Sequence, residues 1–159
     1  MSVDSIRELF IKEGLADSFI YSEETSDTVE HAAELRGCKP AQIAKTMTFL
    51  VNDDPIAVVT CGDAKVDNAK YKNYFGVKAK MIHYEDVERY TGHLPGGVSP
   101  FALNDNVKVY LDISLKRFDI VYAGGGDDHH TVNTTIPQLE RLSRSVAWVD
   151  VCKDWQDNN

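Results

Sequence analysis

Apolar residues recur at helical spacing at Ile6, Leu9 and Phe10, with Arg7, Glu8 and Lys12 between them, so residues 2–13 read as an amphipathic helix closed by Gly14. Residues 18–22 read as a short strand. Ser26 or Asp27 is placed to cap a helix that runs through Glu30, Ala33 and Leu35 and stops at Gly37, and Pro40 opens a short helical turn over 41–43. Two β-branched apolar runs, 46–51 and 56–61, flank Asn52-Asp53-Asp54-Pro55, and a turn signal between such runs predicts an antiparallel hairpin. Further on, the pattern predicts a helix over 84–90, strands over 107–113, 118–123 and 131–135, a final helix from Pro137 through Leu142, and a last strand over 146–149. These elements lack the regular strand, long helix, strand rhythm of a doubly wound sheet. The expected class is a mixed α/β fold in one domain spanning residues 1–159.

With 159 residues, 43% of them apolar and 26% charged, the chain can bury roughly 70% of the surface its unfolded form exposes, enough for a core without staples. Its net charge of −8 argues against a generic basic nucleic-acid binder. The three cysteines, Cys38, Cys61 and Cys152, are widely spaced and form no Cys-x-x-Cys pair, which fits a reduced protein without zinc or redox chemistry. The start of the chain lacks the basic and apolar regions of a secretion signal, and no apolar run approaches the roughly 18 residues of a membrane span. The expected location is the cytoplasm, with no membrane partner.

Four segments carry candidate chemistry. In Gln42-Ile43-Ala44-Lys45-Thr46-Met47 a single lysine sits where a short helix gives way to an apolar strand, either as a surface charge or as a point charge for a phosphate or a polarised carbonyl. Thr91-Gly92-His93-Leu94-Pro95-Gly96-Gly97-Val98-Ser99-Pro100 holds three glycines and two prolines in ten residues; its rigid backbone can approach a ligand closely, with Ser99 adding a hydroxyl. Gly124-Gly125-Gly126-Asp127-Asp128-His129-His130 follows a strand directly. Two carboxylates and two imidazoles invite a metal, but adjacent residues rarely all face one ion and no His-x-x-x-His spacing accompanies them, so a pocket-lining loop is the competing reading. Residues 65–80 set Lys65, Lys70, Lys72, Lys78 and Lys80 against Asp67 alone, with Tyr71, Tyr74 and Phe75 interleaved. Such a stretch is either a solvated helical face over core aromatics or a patch that contacts phosphates and stacks on unpaired bases. No Gly-x-Ser-x-Gly elbow and no reactive cysteine signature is present, which weighs against a covalent mechanism.

Taken together, Gln42-Ile43-Ala44-Lys45-Thr46, the 91–100 loop and the strand-linked Gly124-Gly125-Gly126 resemble, in order and spacing, the YbaK family, also called the prolyl-tRNA synthetase-associated editing domain family. The resemblance runs from the first helix to Leu142. Val109-Tyr110-Leu111-Asp112-Ile113-Ser114-Leu115-Lys116-Arg117-Phe118-Asp119 is similar to a YbaK/EbsC-type subgroup. It implies a mixed α/β fold with a central, curved and largely antiparallel sheet flanked by helices, and hydrolysis of the ester of a mischarged aminoacyl-tRNA. Lys45 matches the family's functional lysine, 96–100 its Gly-x-x-x-Pro loop, and Gly124 and Gly125 its later glycine loop. Asp127-Asp128-His129-His130 is more acidic and His-rich than the small or basic residues such a loop would carry.

An aminoacyl ester is already activated, so the chemistry asks for a positioned water and a stabilised oxyanion, each well-placed donor being worth roughly 3 to 4 kcal/mol. The expected catalytic set is Lys45 with Gly96, Gly97 and Ser99. Thr46, Val98, Pro100, Gly124, Gly125, His129 and His130 are the expected substrate-binding residues. The five lysines of 65–80 are the expected tRNA contacts. No metal or cofactor is expected. The partners are the 3′ end of an aminoacyl-tRNA carrying a small amino acid such as Cys, Ala, Ser or Pro, and an aminoacyl-tRNA synthetase beside which a trans editor works; DNA is not a partner. Two other classes compete: a non-catalytic module that binds aminoacyl-tRNA or a synthetase, and a metal-dependent hydrolase using His129, His130 and Asp127 or Asp128.

Overall fold

A computed structural model describes residues 2–25 and 28–155. The first helix, α1 (Ser2–Lys12), buries Ile6 and Phe10 completely, and Phe10 meets the ring of Phe101 edge-on at 5.1 Å. Strand β1 (Phe19–Tyr21) follows, then α2 (Val29–Arg36), whose end is set by Gly37 in the left-handed conformation. Ser26 and Asp27, expected as its cap, lie outside the described residues; the Thr28 hydroxyl accepts the His31 amide instead. Strands β2 (Ile43–Val51) and β3 (Asp54–Cys61) form the expected hairpin. The turn is tighter than the sequence signal. Val51 pairs with Asp54, so only Asn52 and Asp53 turn the chain, both at positive φ (50° and 72°), the backbone of a type I′ turn.

Short β4 (Lys65–Val66) leads into α3 (Asn68–Phe75), and α4 (Val87–Thr91) precedes the 91–100 loop. Strands β5 (Lys108–Asp112), β6 (Ile120–Gly124) and β7 (His130–Thr135), helix α5 (Ile136–Leu142), and strands β8 (Ala147–Val149) and β9 (Cys152–Lys153) complete the chain. The main sheet has seven strands in the order β1-β7-β6-β2-β3-β5-β8, and β4 pairs separately with β9. The fold is mixed α/β, as expected. The sheet is mixed as well: β1 with β7, β7 with β6, and β2 with β3 are antiparallel, whereas β6 with β2, β3 with β5, and β5 with β8 are parallel. Antiparallel pairing carries the longest register, that of the hairpin, and the parallel junctions come from chain excursions that return to its two flanks.

Strand β3 lies centrally and is buried from Ile56 to Cys61, so it reads as a continuous apolar run. On β2, the N-terminal end pairs with β6 at Ile43 and Ala44. The other end of the same edge is covered by residues 80–82, where the Leu50 amide donates to Lys80 O (2.9 Å), the Ile82 amide donates to Thr48 O (3.1 Å), and Phe49 bridges Met81. Lys45, Thr46 and Met47 lie between these two covers. This opening in the β2 edge is where the fold leaves room for a ligand.

Candidate functional site

A cavity of about 600 Å³ fills the opening. Lys45, Thr46 and Met47 form its floor, the 95–98 loop and Gly124 one wall, and Asp127, Asp128 and His130 its polar corner. Thr28 at the cap of α2, with Val29 and Ala32 of the helix, closes it on one side and Met81, Ile82, Tyr84 and Val87 on another. Of the expected residues, Lys45, Thr46, Gly96, Gly97, Val98, Gly124 and His130 therefore share one cavity although they come from three segments far apart in sequence.

Lys45 is half-buried, and its ammonium makes no ion pair or hydrogen bond among the described residues. The Thr46 Oγ1 beside it is buried without a hydrogen-bond partner. The hydroxyl oxygen is sealed from the cavity, but a cation left this way at its floor matches a ligand that supplies the missing acceptors.

The loops are fitted to each other through their glycines. A Cβ on Gly97 would come within 2.9 Å of Gly126 O and 3.2 Å of Asp127 Cα, so the 95–98 and 124–128 loops approach backbone to backbone. Gly126, at φ +110°, sits equally tightly against the start of α1, where Val3 N would lie 2.9 Å from an added Cβ and Ser2 Oγ donates to Gly126 O. The 91–102 segment is rigid for a different reason. His93 is 1% exposed; its Nδ1 accepts the Ser99 amide at 3.0 Å, which leaves the proton on Nε2 to donate to Ala102 O at 3.1 Å. Burial pushes the His93 imidazole below its ordinary value, against a smaller opposing effect of the Ala102 carbonyl. The Thr91 hydroxyl donates to Val87 O and accepts the His93 amide, tying the loop to α4.

Three expectations change at this level. Ser99 is completely buried and does not line the cavity; its Oγ accepts the Phe101 amide at 3.2 Å, so it shapes the loop and is not placed to orient water. Pro100 and Gly125 are buried behind the wall, and the Gly125 amide donates to His130 O. His129 faces away, with Nδ1 3.0 Å from Ser22 O and its ring stacked on Tyr21. Asp127 Oδ1 gathers the amides of His129 and His130 and the His130 Nδ1 at 2.7 Å. Burial opposes its charge, yet the His130 ring and these amides hold the Asp127 carboxyl below the usual carboxylate range. Among the described residues no three His, Cys, Asp or Glu groups converge on a point that could hold a metal ion.

None of Lys65, Lys70, Lys72, Lys78 and Lys80 lines the cavity. Lys70 donates to Asp150 (3.1 Å) and Cys152 O (3.0 Å), whereas Lys65, Lys72, Lys78 and Lys80 are exposed. Tyr71 is fully buried against Phe49 and Phe75, so it is core and cannot stack on a base. Burial pushes the Cys61 thiol up to about 11 and raises those of Cys152 and Cys38, and none of the three reaches the cavity. Sequence reasoning missed the α2 face and the Met81–Val87 side of the cavity; the readable signal was an apolar Met81 and an aromatic Tyr84 in a charged stretch.

The profile of the aminoacyl-tRNA editing domain family matches residues 23–142. The chain belongs to that family. The match takes in α2, the hairpin and every segment of the cavity. Within the same likeness, the uncharacterized protein YwhH of Bacillus subtilis (strain 168) is 41% identical over 157 residues, covering 98% of this chain and 100% of its own length. The proline--tRNA ligase of Lactiplantibacillus plantarum is 29% identical over 125 residues, 78% of this chain, which spans only 22% of that ligase. Among solved structures, a candidate trans-editing enzyme for prolyl tRNA synthetase superposes with a TM-score of 0.85 at 23% identity, over 96% of this chain and 97% of the other. Hypothetical protein APE2540 superposes at 0.83 with 28% identity, over 94% and 99%. The editing-domain fold thus extends over nearly all of the described chain, and the family's business is aminoacyl-tRNA editing.

Proposed function

We propose that this editing domain is a trans-acting deacylase that hydrolyses the ester of a mischarged tRNA carrying a small amino acid. The observation that carries the reading is the half-buried Lys45 ammonium, without a partner among the described residues, in one cavity with the glycine-rich 95–98 backbone. The match to part of proline--tRNA ligases, and the likeness to a candidate trans editor, support prolyl-tRNA as the tRNA context.

In this mechanism Lys45 holds the terminal phosphate or the ester carbonyl, and the amides of Gly96 and Val98 stabilise the oxyanion that forms when water adds to that carbonyl, whereas the Gly97 amide, expected to join them, already donates to Leu94 O at 3.0 Å and serves to shape the loop. Collapse breaks the acyl–oxygen bond, releasing the amino acid and returning the ribose hydroxyl with a proton. Because Ser99 is buried, water is oriented by the substrate and by His130, whose Nδ1 is engaged by Asp127 and whose Nε2 is the ring atom left for the cavity. The small walls formed by Ala32, Ala44 and Val98 select small aminoacyl groups by size, a sieve of about 1 to 3 kcal/mol per methylene.

The test is deacylation of a panel of mischarged tRNAs by the wild type and by Lys45→Ala and Lys45→Arg. Loss of roughly 100-fold or more in kcat for Lys45→Ala is expected. Full activity in that variant removes Lys45 from the mechanism, and tight binding of aminoacyl-tRNA without hydrolysis by the wild type makes the domain a binder.

A further inference from the structure

Met81 and Tyr84 line the cavity yet are 57% and 73% exposed, so both stand at its mouth. Leu94 (53%) precedes the lining Pro95, and Tyr21 (61%) packs at 5.3 Å on the lining His130. Of the eight large hydrophobic side chains that the described residues leave exposed, two thus line this opening and two more adjoin residues that line it. What sets Met81 and Tyr84 apart from scattered surface apolar residues is that both line the mouth of the cavity that holds Lys45. The Met81 side of the rim is held in place, because residues 80–82 are hydrogen-bonded onto β2 and Tyr84 starts a 3-10 turn, Tyr84–Asp86, that runs into α4.

We infer that Met81 and Tyr84 form a stacking shelf for the unpaired terminal base of the RNA. The inference rests on the deacylase reading for its substrate and goes beyond it in assigning residues to the nucleoside. A cavity of about 600 Å³ is of the size that takes a whole drug-sized ligand, more than a small aminoacyl group fills. An ester seated beside Lys45 carries its ribose and base with it, so the base must leave through the mouth. A neutral ring is the part of a nucleotide this shelf suits, because Met81 and Tyr84 are uncharged and the Asp86 carboxylate beyond them is paired with Arg89 at 3.3 Å, while the exposed Lys78 and Lys80 that precede Met81 are available to the phosphates. Aromatic faces hold bases of any kind, so the shelf adds affinity without reading sequence.

The experiment measures equilibrium binding of a CCA trinucleotide, and of the same trinucleotide with an abasic 3′ residue, to the wild type, Tyr84→Phe, Tyr84→Ala and Met81→Ala by NMR titration. Tyr84→Ala is expected to weaken CCA binding roughly tenfold, with Tyr84→Phe within twofold of wild type and the abasic ligand bound as weakly by the wild type as CCA is by Tyr84→Ala. The KM for aminoacyl-tRNA should rise by the same factor. Equal binding of the two trinucleotides by the wild type, or a Tyr84→Ala variant that is folded by circular dichroism and binds CCA normally, overturns the shelf. A Tyr84→Ala variant that keeps CCA binding but loses association with prolyl-tRNA synthetase also overturns it and makes the rim a protein-docking face. If the wild type binds CCA through Tyr84 but hydrolyses no member of the mischarged panel, the deacylase reading fails and the shelf stands.

Discussion

At Gly97 the absence of one carbon lets two loops meet. Placing a Cβ there drives it to 2.9 Å from Gly126 O, a backbone atom that cannot swing aside, so Gly97→Ala should push the 95–98 loop off the 124–128 loop and open the cavity wall. Deacylation by this variant should fall at least tenfold with a much smaller change in thermal midpoint, because the displaced loop is at the surface and the core is untouched. His93 acts in the opposite sense, as a filled position. Its native imidazole is held below the value of an unfolded histidine, near 6.5, so the unfolded chain takes up the proton more readily and stability is lost as pH falls from that value toward the native one. His93→Asn, which offers an amide oxygen where Nδ1 accepted the Ser99 amide, should remove most of this slope in urea midpoints compared between pH 7.5 and pH 5. Spacing identified His93 as part of a loop, but whether it faces solvent, ligand or core is not written in its neighbours.

Helix ends and turns are the level at which local sequence speaks most plainly. Thr135 and Gln138 reciprocate as a capping box at the start of α5, with Pro137 in the first turn, so the expected helix after Pro137 is found with its cause. Thr135→Ala should cost about 1 kcal/mol in chemical denaturation and Thr135→Ser should restore most of it, since a hydroxyl is all the cap requires. Asn52-Asp53 likewise carry the hairpin because both residues tolerate positive φ. Less legible were the edges that strands share. The pairing of β6 with only Ile43 and Ala44, and the cover of Thr48 to Leu50 by residues 80–82, depend on chain segments about thirty or more positions away. The cavity is the remainder between those two covers, and no periodicity within β2 marks it.

Across the whole molecule a net charge of −8 coexists with a lysine-rich stretch at 65–80, and the structure divides that stretch. Lys70 is committed to Asp150 and Cys152 O, leaving Lys65, Lys72, Lys78 and Lys80 exposed. Reversing Lys72 and Lys78 to Glu should raise KM for tRNA and flatten the dependence of log affinity on log salt by roughly 0.7 to 0.9 for each phosphate no longer neutralised; an unchanged slope takes the patch out of tRNA binding. From the sequence alone came the alternation and spacing that make the elements, the caps and turns that end them, and the segments around Lys45, Gly96 and Gly124, because these are relations among near neighbours. Tertiary structure alone decided that Ser99 is buried and Lys45 has no ion-pair partner among the described residues, that His130 lines the cavity and His129 does not, and that Met81 and Tyr84 stand at its mouth. Those outcomes follow from which distant backbones exclude water from which side chains, and exclusion of water is a property of packing in space, which order along the chain does not encode.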